Sequence, residues 1–252
     1  MRLRINSYSW LLLMLVSVIC WTCGQNNNNQ EDQSGSDHDS SSDRELGLVY
    51  ENDFKTQVND QEEFWSEGEP AKIINGHLVV RADTSGFRRS TIWFNQTLPE
   101  NFRVECDAHV LASADTSNNF NFFVNYAHPQ DSSLLETKSA RKDANYPKYH
   151  QLNGYIFTYL ANGQPESARF RFRHNPGFFL LYEDFKYEAR TGKTYQFSIA
   201  KTGREFTFSV DRQMIMKHSV PDSLENHQHG LFGFRTWHTD IWWDNLKIYR
   251  LD

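Results

Sequence analysis

The chain has 252 residues, 38% of them hydrophobic and 15% aromatic, so beyond its N-terminal region it is too apolar to stay unfolded. Its net charge of −6 sits mostly in the tract 24–45, and no basic excess of the kind that coats nucleic acid is present. What remains, residues 46–252, suits one domain with a single core.

Residues 1–22 place Arg2 and Arg4 ahead of the apolar run Trp10 to Ile19, the order of a secretion signal and too short for a permanent span. Cys23, followed by Gly24 and a polar tract, resembles a bacterial lipoprotein processing site. Lipidation at Cys23 is therefore expected, with plain signal-peptidase cleavage as the alternative. Residues 23–45, rich in Asn, Ser and Asp, bury too little surface to fold and read as a disordered tether. The expected location is the bacterial cell envelope, lipid-anchored on the periplasmic side or at the surface. Cys106 is then the one cysteine left in the domain, so no internal disulfide is expected. It shares a strand face with Val104, Ala108 and Val110, the setting of a buried structural thiol.

From Leu46 the apolar period is two, and turn residues punctuate short runs, which predicts an all-β domain. Strands are expected at 47–52, 71–74, 77–82, 91–95, 102–111, 119–126, 155–160, 169–173, 178–182, 195–200, 205–210, 214–218, 230–236 and 241–249. Asn75-Gly76 and Asp211-Arg212 fall between paired runs as hairpin turns. The polar segment 131–151 has no strand character, and a long loop in a compact domain is more often functional than decorative.

Five groups carry candidate chemistry. In Arg169-Phe170-Arg171-Phe172-Arg173 the alternation aims three guanidinium groups at one face and two rings at the core. Along 119–126, Asn119, Asn121, Phe123 and Asn125 share a face suited to sugar hydroxyls. The loop ending Tyr146-Pro147-Lys148-Tyr149-His150 offers a phenol and an imidazole for proton transfer, with Arg141 in the same loop and Tyr155 on the next strand. Near the C-terminus Arg235 and Trp237 share a face beside His238, a platform for a sugar ring bearing a carboxylate. Arg103, Glu105, Asp107 and His109 line one strand face, best read as solvated. Position 110 is Val where the jelly-roll glucanase pattern Glu-x-Asp-x-x-Glu needs its second Glu, which weakens a hydrolase reading. His227, His229 and His238 lack the Cys or carboxylate partners of a zinc site. No metal is assigned, apart from a weak expectation of structural calcium near Glu51 and Asp244.

With those residues in view, the chain resembles a concanavalin A-like jelly roll, a β-sandwich of two antiparallel sheets. The resemblance rests on Tyr50-Glu51-Asn52-Asp53-Phe54 with Phe64-Trp65, Asn75-Gly76-His77-Leu78, Tyr146-Pro147-Lys148-Tyr149-His150, Arg171 to Arg173 before Gly177-Phe178, and the ending Gly233-Phe234-Arg235 with Trp243-Asp244-Asn245-Leu246. Together these are similar to a bacterial jelly-roll family whose members accompany pectin and rhamnogalacturonan degradation genes, which implies carbohydrate binding or cleavage. The expected activity is β-elimination on an anionic, uronate-containing polysaccharide. Arg171, Arg173 or Arg235 would neutralise the carboxylate, and Tyr149 or His150 would move the proton. Asn121, Asn125, Arg141, Tyr155, Arg235, Trp237 and His238 would bind the substrate. The alternatives are a non-catalytic glycan-binding module and, less favoured, a glycoside hydrolase.

Overall fold

The computed structural model describes residues 45–55, 63–163 and 167–252. The expected leader, Cys23 and the tether up to residue 44 lie outside the described residues. Fifteen strands among the described residues build two antiparallel sheets. The first sheet runs β13 (Gln213–Ser219), β12 (Glu205–Val210), β11 (Thr194–Thr202), β6 (Phe102–Ala112), β15 (Asp240–Leu251), β4 (His77–Arg81) and β3 (Lys72–Ile74), and β1 (Glu45–Asn52) pairs with the far half of β15. The second runs β10 (Phe179–Asp184), β9 (Arg169–Asn175), β8 (Asn153–Leu160), β7 (Phe120–Ala127), β14 (Leu231–Trp237), β5 (Arg89–Thr97) and β2 (Phe64–Gly68). Consecutive runs, β13–β12–β11 and β10–β9–β8–β7, are joined in each sheet to strands far away in sequence, β6, β15 and β4 in the first and β14 and β5 in the second, as in a jelly roll rather than a simple meander.

Alternation sets which side of each strand meets the core. In β6, Phe102, Val104, Cys106, Ala108 and Val110 are buried between the sheets, while Arg103, Glu105, Asp107 and His109 face outward. Burial pushes the Cys106 thiol well up, as suits a structural cysteine. In β9, Phe170 and Phe172 enter the same core opposite Phe206 and Phe208. Each such ring contributes about 1.5–3 kcal/mol by burial alone. Both expected hairpin turns are present. Asn75 and Gly76 (φ 53° and 76°) and Asp211 and Arg212 (φ 51° and 66°) each take the paired positive φ that matches strand twist in two-residue loops.

Two features depart from the sequence reading. Strand β2 is additional; its Phe64-Trp65 pair and polar end gave no clean alternation, and it is held by pairing with β5. In β7 a bulge at Asn125 (φ 53°) breaks the period, so Tyr126 joins Phe123 on the outer face instead of Phe122 and Val124 in the core.

Candidate functional site

Cross-strand register lines up one residue from every strand of the second sheet: Glu67, Thr91, Arg235, Asn121, Thr158, Arg171 and Glu183 are successive partners from β2 to β10. Directly opposed residues share a face, so this is a polar row across the outer face of the whole sheet. On one side lies the apolar row Trp65, Trp93, Gly233, Phe123 and Ile156. On the other, Arg89 opposes Trp237 and Leu160 opposes Arg169.

The segment between β7 and β8 folds back over the apolar row. Two short 3-10 turns, Lys138–Arg141 and Tyr146–Tyr149, give it shape, and Leu134, Tyr149 and Leu152 pack on Trp93, Phe123, Tyr126 and Ile156. Its anchor is Glu67. That carboxylate accepts hydrogen bonds from Tyr149 Oη (2.7 Å), Trp93 Nε1 (3.1 Å) and Arg141 Nε (3.0 Å), and pairs with Arg141 Nη2 at 2.9 Å. Burial outweighs these donors and holds the Glu67 carboxyl above its ordinary value. Arg141 also donates to the Leu134 carbonyl (2.7 Å) and Thr137 Oγ1 (3.2 Å). Two sequence expectations are thereby corrected. Tyr149 is fully buried, its phenol pushed far up by burial and by Glu67, and Arg141 is 4% exposed; both side chains are spent on Glu67 and hold the loop down.

What the anchored loop presents to the polar row is Tyr146. Its ring lies 4.3 Å from the Arg235 guanidinium, its hydroxyl contacts Thr158, and the charges of Arg235, Arg173 and Arg171 act on it against a net upward push from burial. Arg235 is 3% exposed, donates through Nη2 to the Ala144 carbonyl (3.3 Å), has no partner at Nε and pairs with no carboxylate among the described residues. Burial lowers its proton affinity, which only nearby phenols offset. Arg173 is similar, with Nη1 on the Phe178 carbonyl (3.4 Å), its guanidinium 4.1 Å from the Phe178 ring and no ion pair among the described residues. Arg171 and Arg169 instead share Glu183. The strip beside Tyr146, the arginine groove, thus holds two buried guanidinium groups with no counter-ion among the described residues, an expensive arrangement unless an anion arrives.

The remaining expected residues divide. Asn121 lies in the row, donating to Asn119 Oδ1 and accepting from Thr158 Oγ1 (2.6 Å). Trp237 is half-buried beside it and stacks on His238 at 4.0 Å; Asp115 Oδ2 holds His238 Nδ1. His150 backs the groove, stacked 3.7 Å from Phe178, and desolvation with the charges of Arg235 and Arg173 lowers it to about 4, so at neutral pH it is an uncharged, weak base. Two residues lie elsewhere. Asn125 is fully buried by the bulge, and Tyr155 points into the intersheet core beside Phe172 and Phe206, its hydroxyl receiving the His227 amide at 2.9 Å. Asp244 is engaged by His77 and Glu51 by Lys247, and no cluster of three ligand-type side chains occurs among the described residues. The sequence reading omitted Glu67, Tyr146 and Thr158 as site residues. Tyr146 was legible in the Tyr-Pro-x-Tyr-His segment, but nothing in the one-dimensional pattern told the two tyrosines apart.

The profile of a family described as a domain of unknown function, DUF6250, matches residues 83–246, which span the groove except for β2. No curated protein matches the chain. Among solved structures, a protein of unknown function with a galectin-like fold from Bacillus subtilis superposes with a TM-score of 0.69 at 17% identity, covering 82% of this chain and 98% of that one. The carbohydrate-binding module CBM66 from Bacillus subtilis gives 0.53 at 15% identity over 74% and 95%. The exoplasmic/lumenal domain of VIP36, in its Ca2+/Man3GlcNAc-bound form, gives 0.57 at 8% identity over 81% and 90%. At these identities the likeness is one of fold.

Proposed function

The chain belongs to the DUF6250 family, and we propose that its sandwich is a carbohydrate-binding domain whose polar row grips an anionic, uronate-containing glycan. The observation that carries this is the pair of buried guanidinium groups, Arg235 and Arg173, flanking Tyr146 without a carboxylate partner. A uronate supplies the missing charge in the geometry guanidinium favours. Asn121, Thr158 and Asn119 offer amide and hydroxyl groups to the sugar, and Trp237 an apolar ring. The sandwich likeness to CBM66 and to the sugar-bound VIP36 domain supports the saccharide class. A pectic source, lipid anchoring at Cys23 and an envelope location fit this reading and form part of the proposal.

One observation favours a second reading, β-elimination. The Tyr146 phenol stands among three arginines, where Tyr149 and His150 do not serve. Arg235 would neutralise the uronate carboxylate, and Tyr146 would take the proton from the carbon next to it and hand it to the departing glycosidic oxygen as the C–O bond breaks and the C=C bond forms, leaving an unsaturated uronate and a new reducing end.

Calorimetric titration with a polyuronate and with its carboxyl-reduced counterpart tests the first reading. The acidic form is expected to bind at least tenfold tighter, and Arg235→Gln and Arg173→Gln to erase the difference; equal affinity for both forms refutes it. Ultraviolet absorbance from unsaturated uronate tests the second. Turnover lost in Tyr146→Phe with binding kept supports the lyase, and binding without absorbance in the unaltered protein leaves the module.

A further inference from the structure

A second recess lies on the same face of the second sheet, beyond the loop that covers the apolar row. It is a cavity of about 330 Å³ lined by Trp65 of β2, Asn95 and Thr97 of β5, Tyr126 of β7, Leu231 of β14 and, from the loop, His128, Asp131 and Leu134. Its size falls at the lower end for small-molecule sites. Its chemistry differs from that of the arginine groove: no Lys or Arg lines it. The floor is aromatic and aliphatic, from Trp65, Tyr126 and Leu231, which all belong to the cluster under the loop. The rim is polar and made of residues at least partly exposed, Asn95, His128 and Asp131.

Two local features show that the rim is set rather than loose. His128 Nδ1 accepts the Gln130 backbone amide at 3.3 Å, which places the ring proton on Nε2 as a donor. Asp131 holds a left-handed backbone (φ 56°) fixed by its amide bond to the His128 carbonyl at 3.0 Å, conformational strain for a non-glycine residue. In the floor, the Trp65 indole N–H is shut off from solvent and has no acceptor, and an unmatched buried donor is costly.

We infer that this recess is a saccharide site for an uncharged sugar ring, separate from the arginine groove. The apolar floor suits the C–H face of a pyranose, Asp131 accepts from paired hydroxyls, and His128 Nε2 donates to a hydroxyl oxygen. A uronate is disfavoured because its carboxylate would meet Asp131 with no Lys or Arg in the lining to offset it. The inference does not depend on the groove reading, since none of its residues belongs to the polar row.

Titration of the protein with a panel of neutral methyl glycosides and disaccharides, followed by heteronuclear NMR, tests it. The expected result is saturable binding by at least one neutral sugar. It should weaken at least tenfold in His128→Ala and Asp131→Ala, vanish in Ser132→Trp, which fills the cavity mouth from an exposed position, and persist in Arg171→Ala. Absence of saturable binding across the panel to about 50 mM, a concentration leaving only the weakest affinities undetected, overturns it. So does binding that survives all three pocket variants or is lost in Arg171→Ala.

Discussion

At the scale of single residues, burial decided which members of a promising motif face the polar row and which are sealed inside. Tyr146 and Tyr149 stand three apart in one 3-10 turn, yet one reaches the groove and the other is sealed against Glu67. With the hydroxyl of Tyr149 gone, Glu67 keeps Arg141 and Trp93 but loses one donor in a buried setting, which costs about 1–3 kcal/mol. Tyr149→Phe is therefore expected to lower the melting temperature by several degrees and to leave polyuronate affinity within about twofold, measured by calorimetry on both counts. A loss of binding at unchanged stability would return Tyr149 to the site. The arginines show the converse case: alternation in β9 correctly aimed Arg169, Arg171 and Arg173 away from the core, but only the structure showed that Arg169 and Arg171 share the single carboxylate of Glu183 while Arg173 has no carboxylate partner among the described residues.

At the scale of elements, the β7 bulge and the long loop form one device. The positive φ of Asn125 turns Tyr126 outward, and Tyr126 becomes part of the surface on which the loop packs. Gly230, just before β14, sits against that bulge: a Cβ there would lie 2.3 Å from the Asn125 carbonyl carbon, and backbone cannot swing aside as a side chain can. Gly230→Ala is expected to destabilise the fold by more than about 3 kcal/mol. Gly203→Ala, with a left-handed backbone (φ 57°) but open space around it, should cost only about 1 kcal/mol. Denaturant melts of the two variants check the contrast, and equal losses would mean that the bulge does not constrain Gly230. The same element-scale view explains the missed strand. β2 is five residues long with adjacent rings, so its pairing comes from β5 and its importance from Glu67, neither of which a period-two pattern reports.

At the scale of the molecule, three histidines couple stability to acidity. His174 and His227 stack at 4.8 Å, donate to the Glu225 and Asn175 carbonyls respectively, and are held below their usual value mainly by desolvation. Glu225 opposes the shift at both, while Arg204 adds to it at His174 and Lys201 at His227. His150 lies near 4 for the reasons already given. A depressed histidine binds its proton in the unfolded chain before the folded one does, so between the unfolded value near 6.5 and the folded value stability falls with falling pH. The slope approaches about 1.4 kcal/mol per pH unit for each histidine fully neutral in the fold. Melting temperature is thus expected to be flat above pH 7 and to drop steadily from pH 6.5 toward 4, with His150→Gln flattening the lower part of the curve. A flat profile down to pH 5 would show that these histidines titrate normally in the fold.

What the sequence determined by itself was the local and periodic part: nearly all the strands, both hairpin turns, the buried Cys106 and the outward set of arginines. These follow from side-chain alternation and turn chemistry, which act over a few residues. The groove was decided by tertiary structure. Its row of Glu67, Thr91, Arg235, Asn121, Thr158, Arg171 and Glu183 draws on seven strands spread over more than a hundred positions, and exists only because strand order and register place them side by side. Whether a phenol or guanidinium meets water or a buried partner depends on how a loop packs across that register, and packing is a property of residues brought together in space, not of their neighbours along the chain.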